Sequence, residues 1–232
     1  MARPPLYDDD LRRSLLDETA RALAEGGVDA VSLRSVASAA GTSTNAVYAL
    51  FGSKATLVDA VVREANSSLA DALEATPTTP DPVADLLELG AAYRRWALAH
   101  PVLYEVMFGS RVPVVGQACA VTGNGPSMTA GGLPEASGEG EEPAAIAALV
   151  RMLARALDAG VLHGRLEDAV MSFWAGVHGM VSLELSGRLA IRGMLAGVAE
   201  AAAPAGDPWA SASPDDDACY ATHLESIIQG WR

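Results

Sequence analysis

The chain has 232 residues, half of them apolar, which is enough to bury a sizeable core in one large domain or two small ones. Its 29 acidic residues outnumber 16 basic ones for a net charge of −13, which excludes a protein that coats nucleic acid without regard to sequence, because such binding runs on positive charge. The imbalance is uneven: residues 1–64 hold seven basic and nine acidic side chains, a balance of −2, and the remaining −11 lies beyond them.

Alanine, valine and leucine dominate the apolar content and aromatics are few, a composition that suits helices, so an all-α fold is expected. No run of 18 apolar residues occurs, and "MARPPLYDDD" places acids where a signal peptide needs its apolar segment; a soluble, cytoplasmic protein without membrane contact is expected. Cys119 and Cys219 show no CxxC or Cys/His spacing and are expected to be free thiols.

Asp8 to Asp10 provide caps and first-turn acids for a first helix whose apolar positions run Leu11, Leu15, Leu16, Ala20 and Leu23, ending at Gly26-Gly27. Ser32 caps a short second helix over Leu33 to Ala39, and Gly41 supplies its left-handed terminus. Thr42 or Ser43 then caps a third helix containing Ala46, Val47 and Leu50. Ser53 caps a fourth, through Leu57, Val58, Val61 and Val62, that reaches about Leu73. "TPTTPDP", Thr76 to Pro82, is a linker by composition. A helix with Leu86, Leu89, Tyr93 and Trp96 on its apolar face follows over Val83 to Ala99, and His100-Pro101 separates it from a short apolar one, "VLYEVMFG". The Gly-, Pro- and Ser-rich stretch 110–143 buries too little to offset its ordering entropy and is expected to be a long connection. Helical pattern returns over Ala144 to Ala159 and Leu166 to Leu189. In the latter, "AVMSFWAGVHGMVSLEL" is apolar almost all round and is expected to be buried on every side. A second polar stretch, near 201–217, precedes a last amphipathic helix with Tyr220, Leu224, Ile228 and Trp231.

Two short helices joined by Ala-Gly-Thr and set against a longer one make a helix-turn-helix, whose second member reads the major groove. At Gly41, Tyr48, Phe51, Gly52, Ser53, Lys54 and Leu57 the stretch Leu11 to Val62 resembles the TetR family of bacterial repressors. Trp174, His178 and Gly179 are similar to the Trp-x-x-x-His-Gly signature of one C-terminal type within that family. The resemblance implies a three-helix DNA-binding domain over 1–62 and a helical effector-binding and dimerisation domain over 63–232, with low-complexity insertions near 110–143 and 201–217.

It also implies that Tyr48 and Lys54 contact phosphates, the lysine aided by the N-terminus of the fourth helix. Ser43, Thr44, Asn45 and Ala49 are left to read bases, with Asn45 suited to adenine and the apolar groups to thymine methyls. Here the sequence departs from many relatives, which carry basic residues near positions 44 and 49. Ser32, Arg34 and Thr42 complete the expected DNA-binding set, and Arg3, Arg12 and Arg13 add charge.

In the C-terminal part, Tyr93, Trp96, Tyr104, Met107, Phe108, Met152, Phe173, Trp174 and His178 are large and soft enough to line an apolar effector pocket with a polar handle; equally, such a stripe at helical spacing is plain core. The last two major helices, around Val177 to Leu185 and Tyr220 to Trp231, are the expected homodimer surface, with Gly176 and Gly179 permitting close approach. A dimer is expected because two-fold pairs read palindromic operators. No catalytic signature, metal-ligand spacing or cofactor loop occurs, and His100, His163, His178 and His223 are scattered, so no enzyme and no cofactor are expected. The competing reading is a helix-turn-helix that has lost DNA binding and engages protein partners.

Overall fold

The computed structural model describes residues 9–109, 144–188 and 216–232. The stretches 110–143 and 201–215, together with Arg3 and Cys119, lie outside the described residues. Among the described residues the chain forms nine α-helices and no strand: α1 (Asp9–Ala30), α2 (Leu33–Ala39), α3 (Thr44–Phe51), α4 (Lys54–Glu74), α5 (Pro82–Ala99), α6 (Pro101–Phe108), α7 (Ala144–Asp158), α8 (Leu166–Leu185) and α9 (Asp216–Gln229). They divide into two compact units. The first takes α1 to α3, α4 as far as Ala70, and α6; the second takes the last turn of α4 with α5, α7, α8 and α9.

In the first unit Leu15, Ala20 and Leu23 of α1 pack with Val36 and Ala37 of α2, Val47 and Phe51 of α3 and Leu57, Val58 and Val61 of α4. Each fully buried leucine contributes about 1.5–3 kcal/mol relative to exposure. Val106 of α6 joins this core, and α6 packs against α1. Where the sequence suggests a stop at Gly26-Gly27, the helical run continues to Ala30 around a break at Gly27 (φ 70°, ψ −166°). The glycine interrupts the helix because it reaches a backbone conformation other residues avoid, while the chain beyond it resumes the turn.

The end of α2 is closed by backbone bonds from the turn. Gly41 adopts φ 67°, its N–H donates to the Ser38 carbonyl at 3.1 Å, and the Thr42 N–H donates to the Ala37 carbonyl at 2.8 Å. These two bonds satisfy carbonyls that the helix end would otherwise leave unpaired. Ser43 then caps α3 by accepting from the Ala46 N–H at 3.3 Å, and Ser53 caps α4 by accepting from the Thr56 N–H at 3.1 Å.

In the second unit α5, α8 and α9 pack together. The Tyr220 hydroxyl donates to the Gly90 carbonyl at 2.9 Å, and Trp231 Nε1 donates to Ser172 Oγ at 3.3 Å. Gly176 of α8 faces α9 so closely that a Cβ there would overlap Ile227; this close approach is spent within the chain. A Cβ on Gly179 would meet open space.

Within a single chain α8 is not buried on every side. Ala169, Phe173, Val177 and Val181 are buried, but Met171 is 47% exposed, Trp174 37% and Leu183 40%. The reason is geometric: α5 and α9 cover one side of the helix, and apolar composition alone cannot say how many neighbours a helix has.

The Pro-rich connection between α4 and α5 is held by a buried carboxylate. Asp85 accepts from the Thr79 N–H (2.9 and 3.1 Å), from the Thr79 hydroxyl (2.7 Å) and from Arg155 of α7, whose guanidinium also donates to the Thr79 carbonyl. Burial pushes the Asp85 carboxyl up, but the bonds from Thr79 and Arg155 outweigh it and leave the pKa below the ordinary carboxylate value. Replacing Asp85 with Asn should remove the charge facing Arg155 and lower the unfolding free energy by about 3 kcal/mol, the scale for breaking a buried pair. A fall in melting temperature of about 6–12 °C for a chain of this size is the expected readout. Because the folded pKa lies below the unfolded value of about 3.9, Asp85 contributes fully above that pH and its contribution is lost as pH falls through the folded pKa. The variant should therefore show a shallower acid limb in calorimetry across pH 2–5.

Candidate functional site

The residues of α3 divide cleanly between two sides. Ala46, Val47 and Phe51 face the core, and Asn45, Tyr48 and Ala49 are exposed on the opposite side. Asn45 and Ala49 stand one turn apart, with Tyr48 beside them. Tyr48 is 54% exposed, a large aromatic left in solvent when its neighbour Phe51 is 6% exposed. Thr42 and Thr44 are partly buried at the N-terminal end, and Ser43 is exposed but already holds the cap. Ser32 likewise caps α2, accepting from the Ser35 N–H at 3.4 Å. Arg34 is exposed in the first turn of α2, and Lys54 opens α4.

The other cations of this unit are mostly engaged. Arg13 pairs with Asp10 at 3.3 Å, Arg21 with Glu18, and Arg63 with Asp59, each within its own helix. Arg12 lies 4.7 Å from the centre of the Phe51 ring, a cation–π contact that ties α1 to α3. Among the described residues of this unit, Arg34 and Lys54 are the Arg and Lys side chains left with neither an ion pair nor a ring contact.

The predicted effector residues fall in both units. Tyr104, Met107 and Phe108 belong to α6 in the first, where the Tyr104 and Phe108 rings stand 5.0 Å apart and Tyr104 is buried. Tyr93, Trp96, Met152, Phe173, Trp174 and His178 belong to the second. There the Tyr93 hydroxyl and His178 Nδ1 share a hydrogen bond of 3.0 Å, Ser182 Oγ and His178 Nε2 lie 3.4 Å apart, and the Trp174 ring stacks on the imidazole at 5.5 Å. Tyr93, Trp96, Met152 and Phe173 are buried; Trp174 is on the outer side of α8. Two grooves of about 550 Å³ open on this unit. One lies along α5 and α9 (Val83, Leu87, Thr222, Ile228); the other lies between the end of α4 and α7 and is lined by Leu73, Thr76, Arg151, Met152 and Arg155. Of the predicted effector residues, Met152 lines the second groove.

Sequence reasoning missed the polar ties of the second unit. Arg94 of α5 makes a bidentate pair with Glu184 of α8 (2.7 and 2.6 Å) and a further bond to Asp217 of α9 (2.6 Å), with its guanidinium 5.3 Å from the Tyr220 ring. Glu184 holds the Arg94 pKa above its ordinary value. These partners are 90 and 123 residues apart, and no local pattern marks them.

Two family models match the chain: "Bacterial regulatory proteins, tetR family" over residues 15–61 and "Tetracyclin repressor-like, C-terminal domain" over residues 86–205. The chain belongs to the TetR family. It is 28% identical over 110 residues to the HTH-type transcriptional regulator Rv1816 of Mycobacterium tuberculosis, a match that spans 45% of this chain and 46% of the relative. The matched part is thus about half the length of the curated relatives. Among solved structures, a protein of unknown function from Rhodococcus sp. RHA1 superposes with TM-score 0.63 at 23% identity, covering 99% of both chains. The transcriptional regulator FadR from Bacillus subtilis, solved in complex with stearoyl-CoA, superposes with TM-score 0.63 at 11% identity, covering 95% of this chain and 99% of that one. At these identities the likeness is one of fold. Among the described residues no helix is long and apolar enough to cross a membrane.

Burial pushes the His178 pKa below its ordinary value. The imidazole should be neutral at pH 7, and its ring-proton resonances should titrate below about 6.5 in an NMR pH series. With the folded pKa beneath the unfolded one, its contribution to stability is complete above about pH 6.5 and declines as pH falls from there toward the folded pKa.

Proposed function

We propose that the chain is a transcriptional repressor that binds a palindromic operator as a homodimer and is released by a small apolar effector. The observation that carries this reading is the exposed side of α3, where Tyr48, Asn45 and Ala49 stand in solvent on a helix whose other side is core. A helix N-terminus and two cations free of ion pairs, Arg34 and Lys54, flank it and suit phosphates. Ser32, Thr42, Ser43 and Thr44 add hydroxyls at the same end.

Dimerisation is supported by the apolar residues Met171, Trp174 and Leu183 of α8, which a single chain leaves exposed, and by the family's use of two-fold pairs on paired half-sites. The effector end rests on Tyr93, Trp96, Met152 and Phe173, with His178 and Ser182 as the polar handle; Trp174 of the same unit stacks on His178, and Tyr104, Met107 and Phe108, which belong to the other unit, are proposed from their residue types alone. The FadR neighbour was solved with stearoyl-CoA, and a ligand with a long apolar chain and a polar head matches the residue types present here. Such a ligand acts as a population shift: it favours the dimer geometry it binds better, and DNA favours the other.

The test uses a duplex selected from a random pool by the purified protein. Tyr48→Ala and Lys54→Gln should each weaken binding to that duplex about tenfold, with the melting temperature of the protein unchanged because neither side chain is in the core. Lys54→Gln should also reduce the dependence of log affinity on log salt by about one for each phosphate that the lysine neutralises. Retained affinity in both variants would instead favour a protein-interaction module.

A further inference from the structure

The α3 sequence, "TNAVYALF", contains no Arg, Lys, His, Gln, Asp or Glu. In the major groove guanine is recognised by the paired donors of Arg or Lys, cytosine by an acceptor such as Asp or Glu, adenine by the donor and acceptor of an amide, and thymine by apolar contact with its methyl group. Of these base-specific chemistries only the last two are carried by the exposed side of this helix; the hydroxyls of Thr44 and Tyr48 can donate or accept and so do not select a base by themselves. Asn45 carries the amide and Ala49 the methyl. Ser43 accepts the Ala46 N–H as the cap of α3, and its remaining O–H can address any base and so does not select one.

The remaining cations do not change this. Arg34 is in the first turn of α2, the helix that crosses the phosphate backbone in this motif, and Lys54 opens α4 after the Gly52 turn. Both are placed for phosphates, which position the protein without reading sequence. Asn45 and Ala49 are four residues apart, about 6 Å along the helix axis. That spans about two base-pair steps of 3.4 Å.

We infer that the half-site core recognised by this protein is A·T, with an adenine read by Asn45 and a thymine methyl read by Ala49 about two base-pair steps away. This rests on the DNA-binding reading above and narrows it to a class of sequence.

The experiment is selection from a random duplex pool with the full-length protein, followed by binding of the enriched duplex and its single-pair variants. The expected result is a palindrome whose half-sites hold A·T pairs at two positions with this spacing. Changing the adenine position to G·C should weaken wild-type binding about tenfold, and Asn45→Ala should abolish that discrimination. Deoxyuridine in place of the thymine, which removes one methyl group, should cost about fourfold with wild type and nothing with Ala49→Gly. Circular dichroism of both variants establishes that they are folded. Enrichment of half-sites with a G·C core, or an A·T preference that survives Asn45→Ala, would overturn this inference and leave DNA binding standing. No enrichment by folded protein would overturn both.

Discussion

The turn between α2 and α3 fixes everything this protein presents to a partner on its N-terminal face. Gly41 at φ 67° lets the chain reverse within three residues while the Ala37 and Ser38 carbonyls are satisfied, and the Ser43 cap sets the first residue of α3. A helix rotates about 100° per residue. Starting α3 one residue earlier or later would therefore carry Val47 or Phe51 toward solvent and Asn45 or Tyr48 toward the core. The aliphatic contacts of Leu15, Leu23, Leu57 and Val61 then hold that phase, so the hydrogen bonds choose the orientation and the hydrophobic burial makes it stable.

The same face resolves the apparent conflict between an acidic chain and a DNA-reading motif. Exposed pairs such as Arg13–Asp10 and Arg63–Asp59 are worth about 0–1 kcal/mol each, so they stabilise little and hold their arginines only loosely. They neutralise cations within one helix, and α3 itself carries no charged side chain. Arg12 is different, since its stacking on Phe51 makes it part of the packing between α1 and α3. Recognition by such a surface depends on matched hydrogen bonds and methyl contacts more than on charge. Net charge governs association with polyanions in general, and the acidic remainder of the chain opposes that.

Much of this was legible in the sequence because it is local. The caps at Ser32, Ser43 and Ser53, the left-handed glycine at Gly41 and the core positions of α1 to α4 all follow from spacing within a few residues. The outward placement of Tyr48 came instead from the family resemblance, since spacing alone reads it equally as a core aromatic. What escaped is what spacing cannot encode. The bond between Tyr93 and His178 joins residues 85 apart, and the Arg94 pair with Glu184 joins residues 90 apart; each partner alone reads as an ordinary core or surface side chain. The exposure of Met171, Trp174 and Leu183 also depends on which helices lie alongside α8, information that a run of apolar residues does not hold. Gly27 shows the converse limit, since a glycine broke the helix without ending it.

The connection from α4 to α5 makes the same point in energetic terms. Its composition, with three prolines and three threonines in seven residues, reads as a flexible linker, yet its two ends are held by one face of α7. Arg151 pairs with Glu74, the last residue of α4, at 2.8 Å, and Arg155, one helical turn on, bridges the Thr79 carbonyl and Asp85. The two ties are unequal. Arg151 and Glu74 are both about half exposed, so water screens their attraction and either side chain can leave at small cost. Asp85 is buried and accepts from Thr79 as well as Arg155, so releasing it would strand a carboxylate inside the protein. Displacing α7 therefore costs less at the Glu74 end of the connection than at the Asp85 end.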